Sequence, residues 1–143
     1  MDMHKGIVLN SSVLLGREFE TMIRADKDIV AVFLFGSLVR GESSSLSDVD
    51  VCLVLRPGKY EDPFMSGKKV SYMKHVPNEK IGIHIFQQLP IYVRVRVLRE
   101  GRTLLTRNED ALYDLAMDTV REFESFKRHY DDYLKGMLDD RPR

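Results

Sequence analysis

The chain has 143 residues, 43% of them hydrophobic and 31% charged, which suits one soluble domain with a sizeable core. Its 22 basic residues balance 22 acidic ones, which argues against a body built to coat nucleic acid. A single cysteine excludes a disulfide framework; no apolar run approaches the ~20 residues of a membrane span and no secretory leader is legible, so the expectation is a cytoplasmic protein.

Taken in chain order, Asn10, Ser11 and Ser12 offer N-caps for a helix from about Ser12 to Ala25. Leu15, Phe19, Met22 and Ile23 form its apolar stripe. Ile29 to Phe35 is a β-branched and aromatic run, predicting a buried strand that Gly36-Ser37 ends. A polar loop with four serines, Gly41 through Ser47, leads to a second buried strand, Val49 to Leu55. Pro57 and Gly58 close it and open a punctuated stretch to about Lys68, read as a mobile loop. Lys69 to Val76 is expected to be a strand. Another follows from Lys80 to Phe86, where Ile81, Ile83 and Ile85 alternate with Gly82 and His84. Leu89 to Leu98 has strand-like alternation, but Pro90 suits a first helical turn and Gly101 a C-cap, which favours a helix. Arg102 to Thr106 is expected as a short edge strand. Asn108 then caps a long helix to about Leu138, with Leu112, Leu115, Ala116, Thr119, Phe123, Phe126, Tyr130, Tyr133 and Leu134 along one face. Arg94, Arg96, Arg99, Arg102 and Arg107 make a local basic cluster in the sequence.

The chemistry concentrates near Gly36. A strand that ends in glycine can bring backbone N–H groups close to an anion, because no Cβ intervenes. Ser37 adds a hydroxyl donor, and a short helix starting there would add the positive end of its dipole. Ten residues later, Asp48 and Asp50 alternate at the head of a strand and so project to one side. Two carboxylates held that close repel unless a cation lies between them, and Mg²⁺ prefers such oxygen ligands together with substrate phosphates. A phosphate seat beside a metal grip predicts nucleoside triphosphate chemistry.

The string Gly36-Ser37-x-x-Arg40-Gly41, followed by Ser47-Asp48-x-Asp50, resembles the signature of the DNA polymerase beta-like nucleotidyltransferase superfamily, in its minimal MNT-type branch. The likeness continues from Leu89-Pro90 to Arg99-Glu100-Gly101 and covers about residues 12 to 106. It implies an α+β fold: a mixed sheet with helices packed on one face, plus the long C-terminal helix. The implied division is a nucleotidyltransferase domain over 1–106 and a helical extension over 107–143 that packs on the same domain or on a partner subunit. Gly36, Ser37, Arg40 and Ser47 would bind the nucleotide, and Asp48 and Asp50 would hold Mg²⁺ or Mn²⁺. The reaction would move AMP from ATP to a hydroxyl acceptor, such as a tyrosine of a HEPN-type toxin, in an antitoxin role.

The superfamily pattern has a third acidic residue on the following strand, and that position falls on Gly82 here. His84, two residues on, shares the strand face and is a candidate third metal ligand; Glu79, at the strand's entry, is another candidate, on the opposite face if pairing is regular. The competing reading is a degenerate fold that binds a nucleotide or masks a partner without turnover. Cys52 reads as a core residue, and the aromatic stripe of the last helix as packing, against this domain or in a homodimer.

Overall fold

The computed structural model describes residues 14–36 and 49–139. The apolar run Ile29–Phe35 forms β1, and six of its seven residues are buried. A strand with consecutive buried residues must be covered on both faces. Its neighbours are Val49–Leu55 (β2) and Arg102–Thr106 (β4), both antiparallel to it. Ile81–Ile85 (β3) pairs parallel with β2, giving the order β3-β2-β1-β4. The mixed four-stranded sheet is the expected α+β architecture, with β4 at the expected edge.

The helices, expected on one face, cover both. Arg17–Ala25 (α1) and Asp62–Met73 (α2) lie on one side, where Leu15, Phe19, Ile23, Met65 and Tyr72 pack against Val51, Leu53, Ile83 and Ile85. Ile91–Glu100 (α3) and the start of Glu109–Asp139 (α4) lie on the other. There Val93, Val97, Leu98, Leu112 and Leu115 meet Ala31, Phe33, Cys52, Val54 and Phe86.

The expected helix from Ser12 is broken at Gly16, whose φ of 88° ends the helical residues Leu14 and Leu15 before α1 begins. The capping residues Asn10, Ser11 and Ser12 lie outside the described residues. The expected strand Lys69–Val76, and the loop before it, are corrected to α2. Pro63 sits in the first turn, where a missing N–H costs nothing, and Met65 and Tyr72, seven residues apart, carry the buried face.

Side chains tie the elements together. Gln87, in a 3₁₀ turn after β3, accepts from the Leu55 N–H at 3.2 Å and donates to the Leu55 carbonyl at 2.9 Å, continuing the β2–β3 pairing. The helix α3 ends at Gly101, where a Cβ would stand 2.4 Å from the Val97 carbonyl oxygen, so only glycine fits. Asn108 caps α4 as expected, its Oδ1 accepting from the Ala111 N–H at 2.9 Å. Two arginines of the basic cluster read from the sequence are tied into the fold. Arg94 bonds the Leu89 carbonyl and, at 2.8 Å, Glu122 of α4. Arg107 donates to the carbonyls of Ile23 and Asp26.

A carboxylate cluster on the α1–α2 side completes the frame. Asp26 accepts from Lys68 at 2.7 Å, from the Tyr72 hydroxyl at 2.7 Å and from the Asp28 N–H at 2.9 Å. Burial raises the Asp26 pKa, but the Lys68, Tyr72 and Asp28 hydrogen bonds outweigh it, so its carboxyl ionises below the usual range.

The α4 helix has 31 residues, about 46 Å of rise. Its first half packs inward and buries Thr119. Its second half carries Phe126, Tyr130, Tyr133, Leu134, Met137 and Leu138 in exposed positions. The face read as packing therefore splits, the outer part touching nothing within this chain's described core.

Candidate functional site

The site forms where β1 ends and β2 and β3 begin. Antiparallel pairing places Phe35 opposite Asp50, so the bend at Gly36 stands beside that carboxylate. Parallel pairing places Gly82 opposite Asp50 and His84 opposite Cys52. Because side chains alternate along a strand, Gly82 and His84 share the Asp50 face. The result is one cluster built from three strands.

Gly36 has a φ of 93°, and a Cβ there would lie 2.5 Å from Asp50 Oδ2. Only glycine both adopts this backbone and leaves the carboxylate its place. On the other side, His84 Nε2 lies 3.1 Å from Asp50 Oδ1, and the two side chains are each about one-third exposed (32%). A Cβ on Gly82 would stand 3.3 Å from Asp50 Oδ1 and 3.4 Å from His84 Nε2. The bare glycine therefore lets the imidazole reach the aspartate. Phe35 holds the ring edge-to-face at 5.3 Å.

Asp50, Gly36, Gly82 and His84 are thus brought together. Ser37, Arg40, Ser47 and Asp48 lie outside the described residues, as does the short helix expected after Gly36. Among the described residues no group of three His, Cys, Asp or Glu side chains is arranged to hold a metal ion. What they supply is one carboxylate, one imidazole and two glycine cradles that a Cβ would fill. One carboxylate oxygen and one imidazole nitrogen are a donor pair that suits part of a divalent cation's shell.

Two features went unseen in the sequence. Phe35 was read as the end of a buried strand, yet its ring fixes the imidazole; its place directly before Gly36 was the available signal. Gly82 was read as a lost carboxylate, whereas the β2–β3 register makes it the space His84 needs. Cys52 is fully buried, as expected of a core residue, and burial pushes its thiol pKa up. Glu79 is exposed beside Met73, Val76 and Ile81, away from the Asp50 face.

Residues 18–110 match the family model described as polymerase beta, nucleotidyltransferase. No curated relative matches the chain in sequence. Several solved structures share its fold. A toxin–antitoxin with AMP-PNP aligns with a TM-score of 0.61 at 12% identity, covering 82% of this chain and 92% of that one. The complex of a tri-AMPylated Shewanella oneidensis HEPN toxin with its MNT antitoxin aligns with a TM-score of 0.57 at 10% identity, covering 85% and 96%. The toxin–antitoxin MntA-HepT gives 0.56 at 10% identity, covering 85% and 97%.

Proposed function

Since this chain belongs to the polymerase beta nucleotidyltransferase family, we propose that it moves AMP from ATP to a hydroxyl on a protein partner. The single observation that carries the reading is the convergence of Gly36 and Asp50, with a glycine Cβ position only 2.5 Å from the carboxylate oxygen. Bend and acid stand side by side, which supports a triphosphate site.

In this reading the Gly36-Ser37 backbone and the Ser37 hydroxyl bind phosphate oxygens, and Ser47 assists them. Arg40 neutralises phosphate charge. Asp48 and Asp50 hold a divalent ion, Mg²⁺ or Mn²⁺, with His84 as a third ligand. When bound, the ion offsets charge that builds on the triphosphate. The acceptor oxygen forms a bond to the α-phosphorus while the bond to the bridging oxygen breaks, and pyrophosphate leaves. The hydroxyl proton passes to water. Positioning and charge neutralisation carry most of such a reaction, so few side chains suffice.

The acceptor is proposed to be a tyrosine of a HEPN-type toxin, with this chain as the antitoxin in the cytoplasm. Support comes from the neighbours of the same fold, which are toxin–antitoxin complexes. The outer half of α4 supports a protein partner or a second copy, because Phe126, Tyr130, Tyr133 and Met137 lie exposed along one stripe. We assign residues 1–106 to the transferase unit and 107–143 to the extension that docks. No helix among the described residues is long and apolar enough to cross a membrane.

A second reading, nucleotide binding or partner masking without turnover, is favoured by Gly82, which has no side chain to replace the third carboxylate. Labelled ATP separates the two. The transferase reading expects label on the partner with Mg²⁺ or Mn²⁺, lost in Asp48→Ala. Nucleotide binding with no pyrophosphate released, whatever the ion or partner, would establish the second.

A further inference from the structure

Resting on the nucleotidyltransferase reading, we propose that the site selects Mn²⁺ over Mg²⁺, because His84 supplies a nitrogen ligand reaching across Gly82. The residues make an exchange. The strand position opposite Asp50 is Gly82, which has no side chain, and the next residue on that face, His84, reaches the carboxylate instead. A Cβ at position 82 would crowd both Asp50 Oδ1 at 3.3 Å and His84 Nε2 at 3.4 Å. A Cβ alone would need only a small shift of both groups, but a longer side chain at 82 would reach toward the same oxygen as the imidazole.

The donor atoms already have suitable spacing. Adjacent ligands of an octahedral ion bound at ~2.1–2.2 Å stand ~3 Å apart, and Asp50 Oδ1 and His84 Nε2 are separated by 3.1 Å. In the free protein that distance is a hydrogen bond; an ion can take the proton's place with little movement of either side chain. The Phe35 ring, edge-to-face at 5.3 Å, limits how far the imidazole can swing away.

Ligand chemistry then sets the preference. Mg²⁺ is a hard cation that keeps oxygen ligands and water. Imidazole suits the later divalent transition ions, and an otherwise carboxylate and phosphate shell suits Mn²⁺. Zn²⁺ also takes imidazole and carboxylate ligands, but in four-coordinate sites, whereas carboxylate, phosphate and water oxygens around one nitrogen complete a six-coordinate shell. One nitrogen among oxygens is a Mn²⁺ environment.

The test uses Mn²⁺ itself, with the full chain and an ATP analogue blocked at the α–β bridge. Pulsed paramagnetic resonance should show a directly bound imidazole nitrogen in the wild type and none in His84→Gln. Mn²⁺ affinity should fall ~10-fold or more in the variant, while Mg²⁺ affinity changes far less. In Gly82→Asp/His84→Ala, with the carboxylate restored and the ring removed, the preference should move back toward Mg²⁺. Absence of nitrogen coupling in the wild type, or equal weakening of both ions in His84→Gln, overturns the proposal. The wild-type spectrum decides alone if the variants do not fold. Nitrogen-coupled Mn²⁺ without AMP transfer under any ion leaves the ion preference standing and sinks the transferase reading. Transfer driven by Mg²⁺ with no nitrogen coupling does the reverse. A wild type that binds neither ion sinks both.

Discussion

Two aspartates show how the same side chain serves the fold in one place and is left free for a ligand in another. Asp26 is finished internally: Lys68, Tyr72 and the Asp28 N–H all donate to it, and its side chain is 16% exposed. Asp50 is unfinished. Among the described residues its side-chain partner is His84, it is twice as exposed at 32%, and two bare glycines, Gly36 and Gly82, flank its oxygens. A carboxylate saturated by its own protein has little left to offer a ligand. One that is one-third exposed beside a glycine bend has more to offer an ion. The difference separates a structural acid from a candidate catalytic one without reference to sequence patterns.

Substitution of each acid should break the comparison along different axes. The larger effect is expected at Asp50. Asp50→Asn keeps the shape and the contact with His84 but removes the charge, so AMP transfer should fall at least ~100-fold. Thermal stability should stay within ~0.5 kcal/mol, because among the described residues the charge meets only His84, itself one-third exposed. Asp26→Ala should do the opposite. It leaves Lys68, whose side chain is 14% exposed, paired among the described residues with Asp28 alone at 3.2 Å, and removes the 2.7 Å acceptor of the Tyr72 hydroxyl, at a cost of ~2 kcal/mol. Transfer measured well below the melting temperature should remain within about twofold. Urea unfolding and labelled-ATP assays on both variants suffice; a stability loss at Asp50 equal to that at Asp26 would erase the distinction.

Much of this was legible in the chain itself. The runs Ile29–Phe35 and Val49–Leu55 could only be buried strands, and the alternation of Ile81, Ile83 and Ile85 placed Gly82 and His84 on one face. Asn108 and Gly101 marked helix ends that the structure keeps. The α2 helix escaped because its buried face consists of Met65 and Tyr72 alone, while Val70 and Met73 lie exposed, so no stripe emerges. The break at Gly16 escaped because Leu15, Phe19 and Ile23 keep helical spacing straight through it. Coverage of both sheet faces could have been read from the six consecutive buried residues of β1. The Asp50–His84 contact needed register. A parallel β2–β3 pairing brings them together, and a shift of one residue would have turned His84 to the opposite face.

The smallest expected effect sharpens the comparison through pH. The hydrogen bonds to Asp26 keep its folded-state pKa below that of the unfolded chain. Its contribution to stability is therefore present above the ordinary carboxylate range near 4 and disappears as pH falls through the depressed folded value. At the other end, burial lowers the Lys68 pKa but its bonds to Asp26 and Asp28 raise it further. Burial and Asp26 together raise that of Tyr72. Both groups favour their protonated forms in the fold, so what they contribute is present below about pH 10 and is lost as pH rises beyond it. One cluster thus bounds the stability plateau on both sides. Melting temperature measured across pH should show an acid limb that flattens in Asp26→Asn, and an alkaline limb that flattens in the same variant because the acceptor shared by Lys68 and Tyr72 has lost its charge. Asp50→Asn should retain both limbs. An acid limb unchanged in Asp26→Asn would mean that other carboxylates set it, and the contrast between the finished and the unfinished acid would then rest on geometry alone.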